Sequence, residues 1–182
     1  MKISAVYLLL LTLAACNKMP APPLAAVAKP ASSEWQNIKQ TVRQKFPTVR
    51  QLSTQELGAW LNSKDKAPPL LLDARAPEEF AVSHLLQARN AANDVQIAAA
   101  LQNRPKDQPL VAYCSVGYRS SALAEKLKQQ GFTNVANLEG SIFQWANEGR
   151  PVYRDDQQVK LVHPFDKKWG LLLNQELWSP LP

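Results

Sequence analysis

Short apolar segments alternate with helical patterns along the chain, the order expected of a domain with strands and helices in turn. Strands are predicted over residues 48–52, 70–72, 110–113 and 135–138. The second and third of these are apolar throughout, as in parallel strands that are buried on both faces. Helices are predicted over residues 34–46, behind Ser53, from Pro77, and over residues 94–102, 119–130 and 141–148. This order predicts an α/β fold in which helices flank a mainly parallel sheet.

Several helix boundaries carry their own signals. Ser53 and Glu56 have the spacing of a capping box, in which each side chain binds the backbone N–H of the other residue. Pro77 suits the first turn of a helix, and Gly131 suits the position after a helix end. These residues therefore mark two helix starts and one helix end.

Composition narrows the class of protein. The chain has 182 residues, of which 46% are hydrophobic and 20% charged, an ordinary balance that excludes disorder throughout. Its 2 cysteines and 2 histidines exclude a disulfide-rich scaffold and a four-cysteine zinc site, and we expect neither a metal nor another cofactor. The net charge of +6 is spread along the chain without a basic block, so no nucleic-acid partner is predicted.

The first residues have the pattern of a bacterial export signal. A positive start is followed by an apolar segment over residues 3–14, which is too short to span a bilayer as a stable helix. The sequence LAAC that ends at Cys16 resembles a bacterial lipobox. The resemblance implies a lipoprotein signal peptide over residues 1–15. It also implies a Cys16 that carries diacylglycerol on its sulfur and an acyl chain, such as palmitate, on its amine. An ordinary secretory signal with an incidental cysteine is the alternative.

This lipid anchor predicts a location and a tether. The protein is expected to face the periplasm at the bacterial cell envelope, and Asn17 favours the outer over the inner membrane. Residues 16–33 are rich in proline and alanine and lack helical or strand periodicity, which indicates a semi-extended linker. The folded part is expected to begin with a helical region over residues 34–48.

Cys114 lies where α/β folds place their chemistry. It ends a predicted buried strand and precedes a helix, and ligands of such sheets bind beyond the carboxyl ends of the strands. In the loop that follows, Gly117 allows the backbone to curl, and Arg119 adds a positive charge. Backbone N–H groups, the helix N-terminus and this charge would together favour a thiolate. A buried structural cysteine is the alternative.

Two segments at this site resemble the single-domain rhodaneses. The sequence CSVGYRS at residues 114–120 resembles the C-x-x-G-x-R-S active-site loop of that family. The sequence DARAPEEF at residues 73–80 resembles its D-x-R-x-x-x-E-[FY] segment.

Two further segments extend the resemblance in the family's order. Residues 83–90 resemble G-H-[IL] followed by A-x-[HN], and residues 131–145 resemble G-F-x-x-V-x-x-L-x-G-G-x-x-x-W. The resemblance implies a rhodanese-like domain over residues 49–152, with a five-stranded, mainly parallel sheet. Ser83 and Ser141 replace glycines of these motifs, and we expect both to lie away from the loop.

The resemblance implies sulfur transfer from a donor such as thiosulfate to a thiol or cyanide, through a persulfide on Cys114. It implies that Arg119 closes the loop and holds the anion. Asp73 and Arg75 are expected to support the loop and to pair with Glu79 on the following helix. The backbone N–H groups of the loop are expected to bind the transferred sulfur; they belong to Ser115, Val116, Gly117, Tyr118 and Ser120.

Two other functions remain open at this stage. A cysteine phosphatase or arsenate reductase would use a related fold, although tyrosine-type phosphatases resemble C-x5-R and this loop has four residues between Cys114 and Arg119. A binding module would keep the fold without catalysis, but its cysteine need not be present.

The remaining notable residues are expected to be structural. His84 is expected to bind a backbone group, and the tryptophans are expected to pack in the domain. Residues 153–182 extend beyond the resemblance and are too apolar for a free tail. We expect this extension to pack on the domain, and an arm that binds a protein partner is the alternative.

Overall fold

The structure is a computed structural model, and it describes residues 32–180. The predicted signal peptide, the Cys16 lipidation site and the tether up to residue 31 lie outside the described residues. Among the helices of the described part, none is long and apolar enough to cross a membrane.

A five-stranded parallel sheet forms the centre of the domain, in the order β1-β5-β4-β2-β3. Its strands are β1 (Arg50–Leu52), β2 (Leu70–Asp73), β3 (Arg89–Asn90), β4 (Leu110–Tyr113) and β5 (Val135–Leu138). The predicted α/β fold with a five-stranded parallel sheet flanked by helices is therefore confirmed. Only β3 has no counterpart among the patterned segments, because two residues are too few to show a periodicity.

Helices connect the strands and cover both faces of the sheet. They are α1 (Ser32–Lys45), α2 (Thr54–Leu61), α3 (Pro77–Val82), α4 (Asp94–Leu101), α5 (Tyr118–Gln129), α6 (Ser141–Asn147) and α7 (Lys167–Gly170). The capping box forms as predicted: the Glu56 N–H donates to the Ser53 hydroxyl at 3.1 Å, and the Ser53 N–H donates to the Glu56 carboxylate at 2.8 Å.

The two faces of the sheet bury separate apolar clusters. Successive residues of β4 point to opposite sides, so Val111 packs with α2 and α6, while Ala112 packs with α1, α4 and α5. Because β4 is buried on both sides and lies between β2 and β5, the residue that follows it is held firmly.

The C-terminal extension packs on the apolar cluster that Val111 forms with α2 and α6. It begins with an antiparallel hairpin of β6 (Val152–Arg154) and β7 (Gln157–Val159), which the sequence pattern did not predict. Tyr153 and His84 exchange backbone hydrogen bonds of 2.8 and 2.7 Å, which fasten the hairpin to the domain. Further along, the side chains of Val162, Leu172 and Leu173 are buried in the core. The tryptophans at positions 35, 60, 145, 169 and 178 pack on the same cluster.

Candidate active site

Cys114 follows β4 directly and opens the loop that leads into α5. Its side chain is buried, and it is the free cysteine of the described residues. Gly117 ends the loop with a φ of 114°, and a Cβ there would approach the Asn137 side chain to 3.3 Å. Both the backbone angle and the close approach favour glycine. The loop therefore turns sharply around the cysteine before α5 begins.

The Cys114 sulfur lies against polar groups at the start of α5. The Gly117 N–H donates to Sγ over 3.2 Å, and the Ser120 hydroxyl lies 3.4 Å from Sγ. This hydroxyl also lies 2.6 Å from Asn137 Oδ1. Its single proton thus has two acceptors, the amide oxygen in one arrangement and the sulfur in the other.

These surroundings favour the thiolate. Burial alone would raise the pKa of the Cys114 thiol, because a charged sulfur loses its water. The positive charge of Arg119 opposes burial, together with hydrogen bonds from the Ser120 hydroxyl and the Ser120 and Gly117 N–H groups. The balance lowers the pKa of Cys114 below its ordinary value, as expected for a nucleophilic cysteine.

Arg119 is held in place by Glu79. Its Nη1 and Nη2 donate to the two carboxylate oxygens of Glu79 over 2.7 and 2.9 Å, and Nη2 also donates to the Ser115 hydroxyl over 3.0 Å. The Arg119 side chain is 35% exposed, whereas that of Glu79 is 2% exposed. The pair thus fixes a cation at the edge of the loop with one side open to solvent.

Glu79 has a different partner from the one predicted. The Ala76 N–H donates to its carboxylate at the start of α3, over 2.9 Å. Burial alone would raise the pKa of Glu79, but the bonds and charge of Arg119 lower it, so the carboxylate is ionised. The expectation that Asp73 and Arg75 pair with Glu79 is wrong, because Arg119 binds Glu79 and the Arg75 guanidinium binds Asp73.

Asp73 and Arg75 instead pair with each other beneath the loop. Both side chains are fully buried, and three of the hydrogen bonds of Arg75 to Asp73 measure 2.6, 2.9 and 3.1 Å. Arg75 Nη2 also donates to the Ser83 carbonyl over 2.6 Å. The pair lies at the end of β2, whose next N–H, that of Ala74, donates to the Tyr113 carbonyl beside Cys114.

Ser141 holds the first residue of the loop, contrary to the expectation that it lies away from it. Its hydroxyl accepts the Cys114 N–H over 3.1 Å and donates to the Leu138 carbonyl over 3.0 Å. The Ile142 N–H donates to the Cys114 carbonyl over 3.1 Å. The chain turns sharply between the end of β5 and the start of α6, where Ser141 has a φ of 49°. This turn places the first turn of α6 next to Cys114.

The predicted loop residues have distinct surroundings. The N–H groups of Gly117 and Ser120 point to the sulfur, while Ser115 uses its hydroxyl to bind Arg119 and Glu79. Val116 packs into the core. Tyr118 is 39% exposed, and its ring contacts that of Phe46 edge-on, with ring centres 5.4 Å apart.

Two further residues reach the loop without having been singled out. Asn137 is fully buried in β5 and links the Ser120 hydroxyl to Gln51. An amide inside an otherwise apolar strand is the sequence signal for it. Phe165 comes from the C-terminal extension, and the centre of its ring lies 4.9 Å from the Arg119 guanidinium carbon. No sequence signal connects it with the loop.

His84 lies apart from the cysteine, in a structural setting. Its Nδ1 is 3.1 Å from the Phe80 carbonyl, and its ring stacks on that of Phe80 with centres 4.0 Å apart. Within residues 32–180, no group of three or more histidine, cysteine, aspartate or glutamate side chains is placed to hold a metal ion.

Proteins with similar sequences carry names of sulfur chemistry. Residues 53–148 match the family of the Rhodanese-like domain. Over 101 residues the chain is 31% identical to the probable adenylyltransferase/sulfurtransferase MoeZ of Mycobacterium tuberculosis, covering 55% of this chain and 25% of that protein. Over 88 residues it is 36% identical to a sulfurtransferase of Allochromatium vinosum, covering 48% of this chain and 81% of that protein. The chain thus spans about a quarter of the mycobacterial relative.

Solved structures show the same fold. A thiosulfate sulfurtransferase from Pseudomonas aeruginosa superposes with a TM-score of 0.54 at 18% identity, over 68% of this chain and 23% of that one. A protein from Bacillus halodurans has a TM-score of 0.54 at 21% identity, over 75% of this chain and 98% of that one. Since the family match covers more than half of the sequence, the chain belongs to the rhodanese-like domain family.

Proposed function

We propose that the protein is a sulfurtransferase that carries sulfur as a persulfide on Cys114. The observation that supports this most is the setting of the sulfur, which combines a lowered thiol pKa with N–H donors and the fixed charge of Arg119. An ionised sulfur is the nucleophile that covalent sulfur transfer needs. The sulfurtransferase names of the relatives point to the same chemistry.

The reaction has two half-reactions. In the first, the Cys114 thiolate attacks the outer sulfur of a donor such as thiosulfate; the sulfur–sulfur bond of the donor breaks, and sulfite leaves with its electron pair. The negative charge is then on the outer sulfur of the new persulfide. In the second, a thiolate or cyanide attacks that outer sulfur and restores the Cys114 thiolate.

The loop residues stabilise charge during both steps. The Gly117 and Ser120 N–H groups that now face Sγ are placed to bind a sulfur that carries negative charge. Arg119 supplies a positive charge that Glu79 holds in one position. Because these groups are in place before the donor arrives, little reorganisation accompanies the reaction.

Mass spectrometry of the purified protein after incubation with thiosulfate tests this proposal. We expect one added sulfur atom on Cys114, its loss on addition of cyanide, and formation of thiocyanate. Cys114→Ser should show none of these while keeping the same circular dichroism spectrum. Absence of the added sulfur with every sulfane donor tried would contradict the proposal.

Loop length separates sulfur transfer from phosphate chemistry. Four residues lie between Cys114 and Arg119, which keeps the N–H groups close to the sulfur and leaves less room for a tetrahedral phosphate. We expect no hydrolysis of aryl phosphates. Insertion of one glycine after Val116 should reduce sulfur transfer. Robust phosphatase activity of the unaltered protein without sulfur transfer would reverse the assignment.

We also propose that the protein acts at the bacterial cell envelope, facing the periplasm and anchored through lipid on Cys16. The LAAC sequence and the proline-rich residues behind it support this. Several acyl chains, at about 0.8 kcal/mol per buried methylene, are enough for durable anchoring. Cys16→Ser should move the protein from the membrane to the soluble fraction. A variant that still sediments with membranes after a high-salt wash would contradict the anchor.

A further inference from the structure

The loop that carries Cys114 makes two aromatic contacts with residues outside the family match, Phe46 and Phe165. On one side, the exposed Tyr118 packs against Phe46, which follows α1. On the other side, Phe165 from the C-terminal extension lies over Arg119. Both residues are partly exposed, Tyr118 at 39% and Phe165 at 42%.

Phe165 is held in this position by its neighbours. Its φ of 68° is uncommon for a residue with a bulky side chain, and its N–H donates to His163 Nδ1 over 3.0 Å. The preceding Pro164 is buried against Gly170, and the following Asp166 accepts the Trp169 N–H at the start of α7 over 2.7 Å. Residues in such backbone conformations persist where their surroundings fix them. The extension therefore presents an exposed ring at a fixed place beside the loop.

The charges close to the sulfur are largely balanced. Glu79 binds Arg119 through both carboxylate oxygens, and Asp73 binds Arg75. The Nζ of Lys45 lies 5.0 Å from the centre of the Tyr118 ring. Lys45 belongs to none of the ion pairs found within residues 32–180. The negative charge of the Cys114 thiolate offsets the positive charge of Lys45, so no surplus of positive charge remains for the small dianion thiosulfate. A singly charged donor with an apolar part suits this balance better.

We propose that Phe165 is a specificity-determining residue that binds the organic part of the sulfur donor, and that the preferred donors are organic sulfane compounds such as aromatic thiosulfonates. This inference rests on the sulfurtransferase function proposed above. A flat apolar substituent of a donor bound beside Arg119 has the ring of Phe165 to contact.

With benzenethiosulfonate as the donor, the first half-reaction transfers one sulfur atom to Cys114. The Cys114 thiolate attacks the terminal sulfur, the bond between the two donor sulfurs breaks, and benzenesulfinate leaves with the electron pair. Two negative charges enter the reaction, and two leave it, one on the sulfinate and one on the persulfide. Cyanide then removes the outer sulfur as thiocyanate and restores the thiolate.

Donor kinetics at saturating cyanide test the proposal, because kcat/KM for the donor reports the first half-reaction alone. We expect the unaltered protein to have a higher kcat/KM for benzenethiosulfonate than for thiosulfate. Phe165→Ala should lower the ratio of the two values by about 5-fold, the size of one aromatic contact. Phe165→Tyr, which keeps the ring, should preserve the ratio. Leu171→Ala is the matched control, since Leu171 is another exposed apolar residue of the same extension.

The possible results are distinguishable. An unchanged ratio in Phe165→Ala overturns the inference. Equal losses for both donors, together with a higher alkylation midpoint of Cys114, would show that Phe165 only positions Arg119, which also overturns it. If neither donor adds sulfur to Cys114 in the unaltered protein, the proposed function itself fails, and this inference fails with it.

Discussion

Arg75 and Arg119, the two arginines of the candidate site, each bind a carboxylate through more than one hydrogen bond, but their surroundings differ. Arg75 and Asp73 are fully buried, and this guanidinium also donates to the Ser83 carbonyl and lies over the Tyr113 ring. Arg119 and Glu79 form a similar fork, but the Arg119 side chain is 35% exposed and also binds Ser115 in the loop. One pair is closed within the fold, and the other opens onto the site.

This difference in burial gives the two ion pairs different roles: the buried pair stabilises the fold, and the partly exposed pair acts on Cys114. A buried charge without its partner is costly, so the buried pair must stay complete for the domain to fold. In the second pair the arginine is partly exposed, so water can reach Glu79 when Arg119 is replaced, and this pair carries less of the stability. Its location instead gives it influence over Cys114, whose pKa it lowers against the effect of burial.

Arg75→Met should have the largest effect on stability. It leaves the Asp73 carboxylate buried without its cation, and we expect the free energy of unfolding to fall by about 3–5 kcal/mol. Arg119→Met should lose about 2 kcal/mol, because Glu79 keeps bonds from the Ala76 N–H and the Ser115 hydroxyl and water can enter where the exposed arginine was. Urea unfolding followed by circular dichroism measures both. Equal losses in the two variants would remove the distinction between the pairs.

Arg119→Met should have the larger effect on activity. Without this charge the alkylation midpoint of Cys114 should rise toward the ordinary thiol value of about 8.5. The kcat/KM for sulfur donors should fall by about 100-fold, as when one preorganised charge-stabilising donor is removed. Arg75→Met serves as the comparison: whatever fraction of it stays folded should keep the low alkylation midpoint. A normal midpoint in Arg119→Met would contradict the role of the loop arginine.

Exchange of each arginine for lysine should separate charge from geometry. Arg119→Lys keeps a positive charge near the loop. Its kcat/KM should therefore fall by only about 10-fold, less than in Arg119→Met, which loses the charge as well as the fork. Arg75→Lys places an ammonium group where a planar fork binds, so it should still destabilise the domain. Activity and urea unfolding of the two variants measure this. Arg119→Lys as inactive as Arg119→Met would show that the fork, not the charge, matters.

Much of the fold could be predicted because its signals are local. The apolar segments of β2 and β4 and the capping box at Ser53 each determine an element within a few residues. β3 was missed because its two residues are defined only by pairing with β2, which lies well before it in the sequence. The β6–β7 hairpin was missed because strands of three residues are too short to show a periodicity. Tyr153 of this hairpin is fixed by its bonds to His84.

The candidate site shows the same division. The spacing of Cys114 and Arg119 within one loop is visible in the sequence, whereas the partner of Arg119 is not. Glu79 was expected to pair with Asp73 and Arg75. It pairs with Arg119 instead, because α3 and α5 lie next to each other in the fold. Phe165 lies 46 positions after Arg119 in the sequence and reaches it only because the extension folds back. Such contacts depend on tertiary packing, which no short motif encodes.

The effect of the open pair on Cys114 should also appear, as the smallest of these effects, in the pH dependence of stability. The folded pKa of Cys114 is lowered, whereas the unfolded thiol titrates near about 8.5. Between these two values the unfolded chain binds more protons than the folded one, so the free energy of unfolding rises with pH. This contribution is complete above the unfolded pKa and is lost as the pH falls through the folded pKa.

Comparison of the unaltered protein with Cys114→Ser isolates this contribution, because serine does not titrate in the range. The difference in their free energies of unfolding should increase in favour of the unaltered protein as the pH rises from about 6 to about 9. The same comparison in the Arg119→Met background should show a smaller increase, since the charge that lowers the pKa of Cys114 is gone. In the Arg75→Lys background the increase should persist. An increase of the same size with and without Arg119 would mean that the N–H groups and Ser120 alone hold the thiolate, and the two ion pairs would then differ in burial but not in function.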